Sequence, residues 1–285
     1  MLIQPALAGE ALLADIRQAN ARDGGFRLWW LGQSGFLLQW EGRHLLFDPY
    51  LSDSLTRKYA ATDKPHIRMT ELAVTPERLD FIDVVTSSHN HTDHLDAETL
   101  GSLLAVNPNI VFVIAEANRA FVAGRLHIPP AQPLGLDDGG SCSARGFRIA
   151  AVPSAHEEVD RDEAGRCQYL GYVVQFGGWS VYHSGDTVRY QGMAEKLRPF
   201  GVDVALLPIN GRAPERRVPG NLSGVEAAVL AHDMGAKLVI PCHYDMFAFN
   251  TAPPDEFVSA CGRLGQPYRL VRCGERWTSE VGVAT

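Results

Sequence analysis

Three histidines and two aspartates crowd into residues 87–96, SSHNHTDHLD. Imidazole and carboxylate together suit a borderline divalent cation such as zinc, manganese or iron. His89 and His91, two residues apart, can reach one ion from the same side. Asp93 and His94, further round the turn, can reach a second. The competing reading is a capping loop with solvated histidines, and HxHxDH is too dense for that. A cation needs more ligands, and three further residues stand just past apolar runs: His156 in VPSAHEE, Asp186 in VYHSGDT and His243 in VIPCHYD. All three share the placement of the first cluster, at the end of a strand-like segment.

The elements that must carry these residues can be read along the chain. Residues 26–47 spell three short strands, with turns at Gly32–Gly35 and Glu41–Gly42. DVVTS, 83–87, is a buried strand running into the histidine cluster, and Asp96 is placed to cap the helix that follows. NIVFVIA is a strand, and EANRAFVAGRLH a helix. FRIAAVPSAH is a strand ending in a loop, and YLGYVVQFGGWSVYHSGD a hairpin turned at Gly177–Gly178. Helix MAEKLRPF, strand DVALLPI, helix SGVEAAVLAHDMG, strand AKLVIPCHYD and a helix near PDEFVSACGRLG complete the pattern. Each half opens with hairpins and continues with alternating strands and helices, which predicts two mixed sheets packed face to face rather than one doubly wound sheet.

Composition narrows the class. The 285 residues are 46% hydrophobic and 21% charged, a globular balance with a large core. The formal charge of -7 and the lack of a basic tract argue against long nucleic acid as a partner. The first twenty residues lack a basic leader and suit an amphipathic helix better than a signal peptide. No apolar run reaches the length of a membrane span. The five cysteines (Cys142, Cys167, Cys242, Cys261 and Cys273) are odd in number and form no CxxC pair, which suggests reduced thiols in a cytoplasmic protein.

HxHxDH, a lone His, an SGD aspartate and a late His together resemble the metal signature of the metallo-β-lactamase superfamily. WWLGQSG, IDVVTSSHNHTDHLD, VYHSGDT, DVALLPING and AKLVIPCHYD look like its L-ascorbate-6-phosphate lactonase branch. The likeness runs from about Trp29 to Asp245. It implies an α/β fold, a four-layer αββα sandwich, as a single domain over 1–285 with a helical extension at about 1–25. It also implies two divalent cations, zinc or manganese. His89, His91 and His156 would hold the first, Asp93, His94 and His243 the second, and Asp186 would bridge them. The activity implied is hydrolysis by a hydroxide between the cations, opening a small anionic lactone or cyclic ester. The alternative is a phosphodiesterase acting on a phospholipid or nucleotide. A homo-oligomer is expected.

Around that centre, other residues can be given roles. Asp93 is a candidate general acid as well as a ligand, and Asp186 counts among the catalytic groups. Tyr244 can donate to a developing oxyanion, or be a buried ring beside a ligand. Asp48 and Asp245 can accept the far N–H of a ligating histidine, or cap turns. Arg212, Arg216 and Arg217, in the Gly/Pro-rich loop 210–223, can clamp a substrate anion or pair with nearby acids. The polar loop 160–168 is a candidate pocket wall. His44, His66, His127 and His232 read as surface or loop residues, His183 as undecided, and Ser34 as part of a strand turn.

Overall fold

Apolar residues in the first strands alternate between two destinations, and that alternation builds the layers. In the computed structural model, which describes residues 1–19 and 23–279, β1 (Phe26–Trp30), β2 (Phe36–Trp40) and β3 (Arg43–Phe47) form an antiparallel meander. Phe26, Leu28, Trp30, Phe36 and Leu38 point inward between two sheets. Trp29, Leu37 and Leu46 point outward to a helical layer. The β2–β3 turn has φ > 0 at both Glu41 and Gly42, as a type I′ hairpin requires.

The first sheet continues through β4 (Val84–Ser87), β5 (Val111–Ala115) and β6 (Leu134–Leu136), all parallel to β3. The second sheet starts with β7 (Ser141–Ala144), β8 (Phe147–Pro153), β9 (Leu170–Phe176) and β10 (Trp179–His183), each antiparallel to the last. It continues through β11 (Val204–Pro208) and β12 (Leu238–Cys242), parallel to β10. β13 (Arg276–Thr278) returns to the first sheet beside β1. The orders are β13-β1-β2-β3-β4-β5-β6 and β12-β11-β10-β9-β8-β7. This is the expected α/β sandwich of two mixed sheets flanked by helices.

Helices complete the outer layers. α1 (Gly9–Gln18) buries Leu12, Leu13 and Ile16 against Trp29, Leu37 and Leu46, worth about 1.5–3 kcal/mol for each side chain. Residues 20–22 of the expected N-terminal extension lie outside the described residues. α2 (Ser54–Tyr59) was not legible in advance. α3 (Ala97–Val106) is capped as expected by Asp96, whose side chain accepts from the Thr99 N–H at 3.0 Å. α4 (Arg119–Leu126) and α5 (Met193–Leu197) follow. α6 (Gly224–Met234) starts with a capping box between Ser223 and Glu226, and α7 (Asp255–Leu264) packs on it.

One expectation fails here. His44 is not a surface residue: it lies on β3, is 6% exposed, and faces Gln39 across the β2–β3 register, with 2.9 Å between its Nε2 and the Gln39 amide nitrogen. Gln39 in turn donates to the Ile16 carbonyl of α1, so a polar pair is sealed beneath that helix.

Candidate metal centre

Four strand ends converge. β4 delivers His89, His91, Asp93 and His94, β8 delivers His156, β10 delivers Asp186, and β12 delivers His243. The approach is close. Gly185 has φ +60, and a Cβ placed on it would lie 2.5 Å from the Ser88 Cβ, so the SGD turn can meet the histidine loop only with glycine there. His243 itself adopts φ +61, an uncommon state for a residue with a side chain. Its N–H donates to the Gln33 carbonyl at 3.0 Å, which ties the turn to the β1–β2 loop.

Asp48, at the end of β3, organises the histidine loop from below. It accepts from Thr86 Oγ1 and the Ser88 N–H, each at 3.1 Å, and from the Ser88 hydroxyl. His94 Nδ1 donates to it at 2.8 Å. His89 Nδ1 donates to Ser88 Oγ at 3.0 Å, and His156 Nδ1 to the Gly220 carbonyl at 2.9 Å. Each of these three rings therefore spends its Nδ1 proton outward and leaves the Nε2 lone pair for the centre.

The inward atoms fall into two sets that share Asp186: His89, His91, His156 and Asp186, and Asp93, His94, Asp186 and His243. Within each set the donor atoms lie within 4.8 Å of one another. Asp186 Oδ1 is 3.2 Å from His94 Nε2, and Asp186 Oδ2 is 3.3 Å from His243 Nε2 and 3.7 Å from His156 Nε2. Asp93 Oδ2 is 3.5 Å from His243 Nε2 and 3.7 Å from His94 Nε2. Ligands about 2.0–2.1 Å from a tetrahedral cation sit roughly 3.3 Å apart, so these spacings match the edges of such a site. His89 Nε2, His94 Nε2 and Asp186 Oδ1 are buried and have no hydrogen-bond partner among the described residues. Orphaning a buried polar group costs about 1–3 kcal/mol, a cost that a bound cation would remove. On donor type, spacing and orphaned atoms, the residues fit divalent metal.

The electrostatics agree. Burial alone would raise the Asp186 carboxyl, but the charges of His243 and His94 hold it well below its ordinary value. Asp93 is likewise held down by His94 and by its hydrogen bond to His243 against the effect of burial. Burial would lower His243, yet Asp186 and Asp93 lift it to about 9, and Asp186 leads the groups that raise His94. Burial, with the charges of His94 and His91, depresses His89, and burial depresses His91. Two carboxylates in a dry site demand positive charge beside them, which a divalent cation would supply.

A cavity of about 370 Å³ opens over these residues. Its floor is His91, Asp93, His156 and Asp186. Its walls include Tyr59, His66, Phe121, Phe247 and Phe249, with Lys58, Arg125 and Val218–Pro219 among them. His66 is thus a wall residue rather than a dull loop one: its ring stacks on Tyr59 at 4.1 Å and packs on Phe249 at 4.4 Å. Tyr59 lies only seven residues upstream, but Phe247 and Phe249 come from a distant segment, and the local sequence does not show them. Tyr169, also missed, packs its ring against His89, His91 and His156.

Several expectations for the surroundings need correction. The three arginines do not line the cavity. Arg212 pairs with Glu226 at 2.5 Å, and Arg217 with Asp63 at 2.8 Å. Arg216 donates to the carbonyls of Asn210 and Thr251. They anchor the loop that carries Val218, Pro219 and Gly220. The Tyr244 hydroxyl donates to the Val271 carbonyl at 3.1 Å while its ring stacks on Trp30, so it is spent in the core and not on an oxyanion. Asp245 meets Thr251 and Thr70 through its backbone, and its carboxylate has no hydrogen bond among the described residues; it does not support a ligand histidine. Loop 160–168 is folded on itself through an Arg161–Cys167 bridge and lies outside the cavity wall. His183 is settled: its Nε2 donates to the Ser34 carbonyl at 2.8 Å and its Nδ1 accepts from Gly185 at 3.2 Å, so it joins two loops of the centre from beneath. All five cysteines are free. Among the described residues no helix is long and apolar enough to cross a membrane.

Residues 27–243 match the family model described as a beta-lactamase superfamily domain. A UPF0173 metal-dependent hydrolase of Opitutus terrae is 30% identical over 254 residues, covering 87% of this chain and 98% of the relative. One from Methanoculleus marisnigri is 31% identical over 228 residues, 78% of this chain and 82% of the relative. Among solved structures, Igni18, a metallo hydrolase from Ignicoccus hospitalis, aligns with a TM-score of 0.66 at 23% identity, over 90% of this chain and 99% of that one.

Proposed function

This chain belongs to the metallo-β-lactamase superfamily, and we propose that it works as a binuclear metal-dependent hydrolase opening a small lactone or cyclic ester that carries an anionic group. The single observation that carries the reading is the pair of donor sets meeting at Asp186, with three orphaned ligand atoms turned inward. His89, His91 and His156 would hold one cation and Asp93, His94 and His243 the other, with Asp186 available to both. Zinc and manganese both suit a set of imidazole and carboxylate without sulfur. Divalent cations held there would supply Lewis acidity and bring the pKa of a bound water to roughly 7.

The rest is done by the chain. Asp48, Ser88 and the Gly220 carbonyl fix three ligand tautomers. The depressed Asp93 carboxyl favours its ligand role over proton donation. The aromatic wall excludes water beside the reacting bond and receives the apolar face of a ring, while Lys58 and Arg125 favour a substrate anion. Those two cations would meet a phosphate equally well, so phosphodiester hydrolysis is the second reading. The motif likeness to the L-ascorbate-6-phosphate lactonase branch favours the first.

The test is turnover by protein loaded with manganese or zinc, on a lactone panel beside bis-p-nitrophenyl phosphate. The reading predicts lactone opening that chelation abolishes. Phosphodiester cleavage alone would replace it with the second reading, and activity untouched by chelation would sink both.

A further inference from the structure

Gln33 lies in the turn between β1 and β2, and its side chain is sealed in the centre at 1% exposure. Its backbone is held on two sides: its carbonyl accepts from Trp30 Nε1 at 2.9 Å and from the His243 N–H at 3.0 Å. The carboxamide nitrogen is 2.7 Å from Asp93 Oδ2 and 2.9 Å from His243 Nε2. Those two atoms are themselves 3.5 Å apart and belong to one donor set. The carboxamide oxygen is buried without a partner among the described residues. A cation held by Asp93 and His243 would therefore face the protons of an –NH2 group, while an oxygen on the same side chain went unused. The terminal torsion of glutamine is a broad two-fold rotor, so a half-turn exchanges the two ends.

We propose that Gln33 Oε1, brought round by that half-turn, is an additional oxygen ligand of the cation held by Asp93, His94, Asp186 and His243. The proposal rests on the binuclear reading above. It changes the character of one site only. Two carboxylates, one amide oxygen and two imidazoles make five donors, three of them hard oxygens. Manganese accepts such a set more readily than zinc, which settles for four. The two sites of the pair would then differ in metal preference.

Manganese binding to metal-stripped protein, followed by electron paramagnetic resonance and calorimetry, tests this on the wild type, Gln33→Met and Gln33→Glu. Methionine keeps the length and burial but offers no oxygen; glutamate offers an oxygen but no N–H. The expected result is two manganese ions per wild-type chain, one of them weakened at least about ten-fold in Gln33→Met, and both retained in Gln33→Glu. In a His243→Ala background, Gln33→Met should cost nothing further, because the same site is already lost. Unchanged binding in Gln33→Met overturns the proposal. So does equal loss in Gln33→Glu, which would assign Gln33 to donating a hydrogen bond to Asp93. A wild type that binds fewer than two ions sinks the binuclear reading, and the proposal with it. Thermal melts by circular dichroism check folding; if Gln33→Met fails them, Gln33→Asn withdraws the oxygen by one methylene and is read in the same way.

Discussion

His94 Nδ1 donates to Asp48 Oδ2 across 2.8 Å, with both side chains fully buried. The bond fixes which nitrogen of His94 faces Asp93 and Asp186, and Asp48 is itself fixed by Thr86 and Ser88. Asp48→Asn keeps the shape but weakens the acceptor. Metal affinity measured against a competing chelator should fall about 10- to 100-fold. An affinity equal to wild type would show that the carboxylate does not orient a ligand.

Chelation should lower thermal stability. A cation present at about 100 times its dissociation constant stabilises the fold by roughly 2.7 kcal/mol. Calorimetry with and without chelator should show a fall of about 4–5 °C. Two superimposable melting curves would count against resident metal.

The arginine loop gives a graded series. Arg217→Ala removes an exposed pair with Asp63 and should change stability by about 1 kcal/mol or less, leaving KM within about two-fold. Arg216→Ala frees the Asn210 and Thr251 carbonyls, loosens Val218–Pro219, and should hasten tryptic cleavage at Arg217. Lys58→Ala should raise KM for an anionic substrate roughly five-fold at low salt and less at high salt. The opposite order of KM effects, Arg217 above Lys58, would restore the arginines as substrate clamps.

His44 predicts a pH dependence of stability. Burial outweighs the charge of Asp83 and lowers its pKa from 6.5 to about 4. Above pH 6.5 the ring is neutral in both states, and this stability is fully present. As pH falls, the unfolded chain takes up the proton first, so the stability is lost on the way down to about pH 4. The difference amounts to roughly 2 kcal/mol between pH 7 and pH 5. Urea midpoints of the wild type should fall more steeply over that window than those of His44→Gln. Parallel slopes would contradict the assignment.

The strands, and the gathering of the candidate ligand residues at one place, were legible because periodicity and placement at strand ends are local signals. HxHxDH after DVVTS, and His156, Asp186 and His243 past their own strands, could be read one segment at a time. His44 was not legible alone. Its burial depends on Gln39 opposite and α1 above, and the clue was the register of a short hairpin in which the two polar residues must face each other. Gln33 was hidden inside GQSG, read as a turn; its side chain matters only because β12 brings His243 against it. The arginines stood open between a clamp and a pairing role because a loop's charge is visible in sequence, but its partners Glu226 and Asp63 are not. β6, β7 and β13 are three or four residues long, too short for a pattern to declare itself.

The histidine-rich turn leaves one sheet, whereas His156, Asp186 and His243 leave the other. Whatever occupies the seam between them rivets the two leaves of the sandwich at one end. A cation bound in that seam would be a structural tie between the layers as well as a reagent.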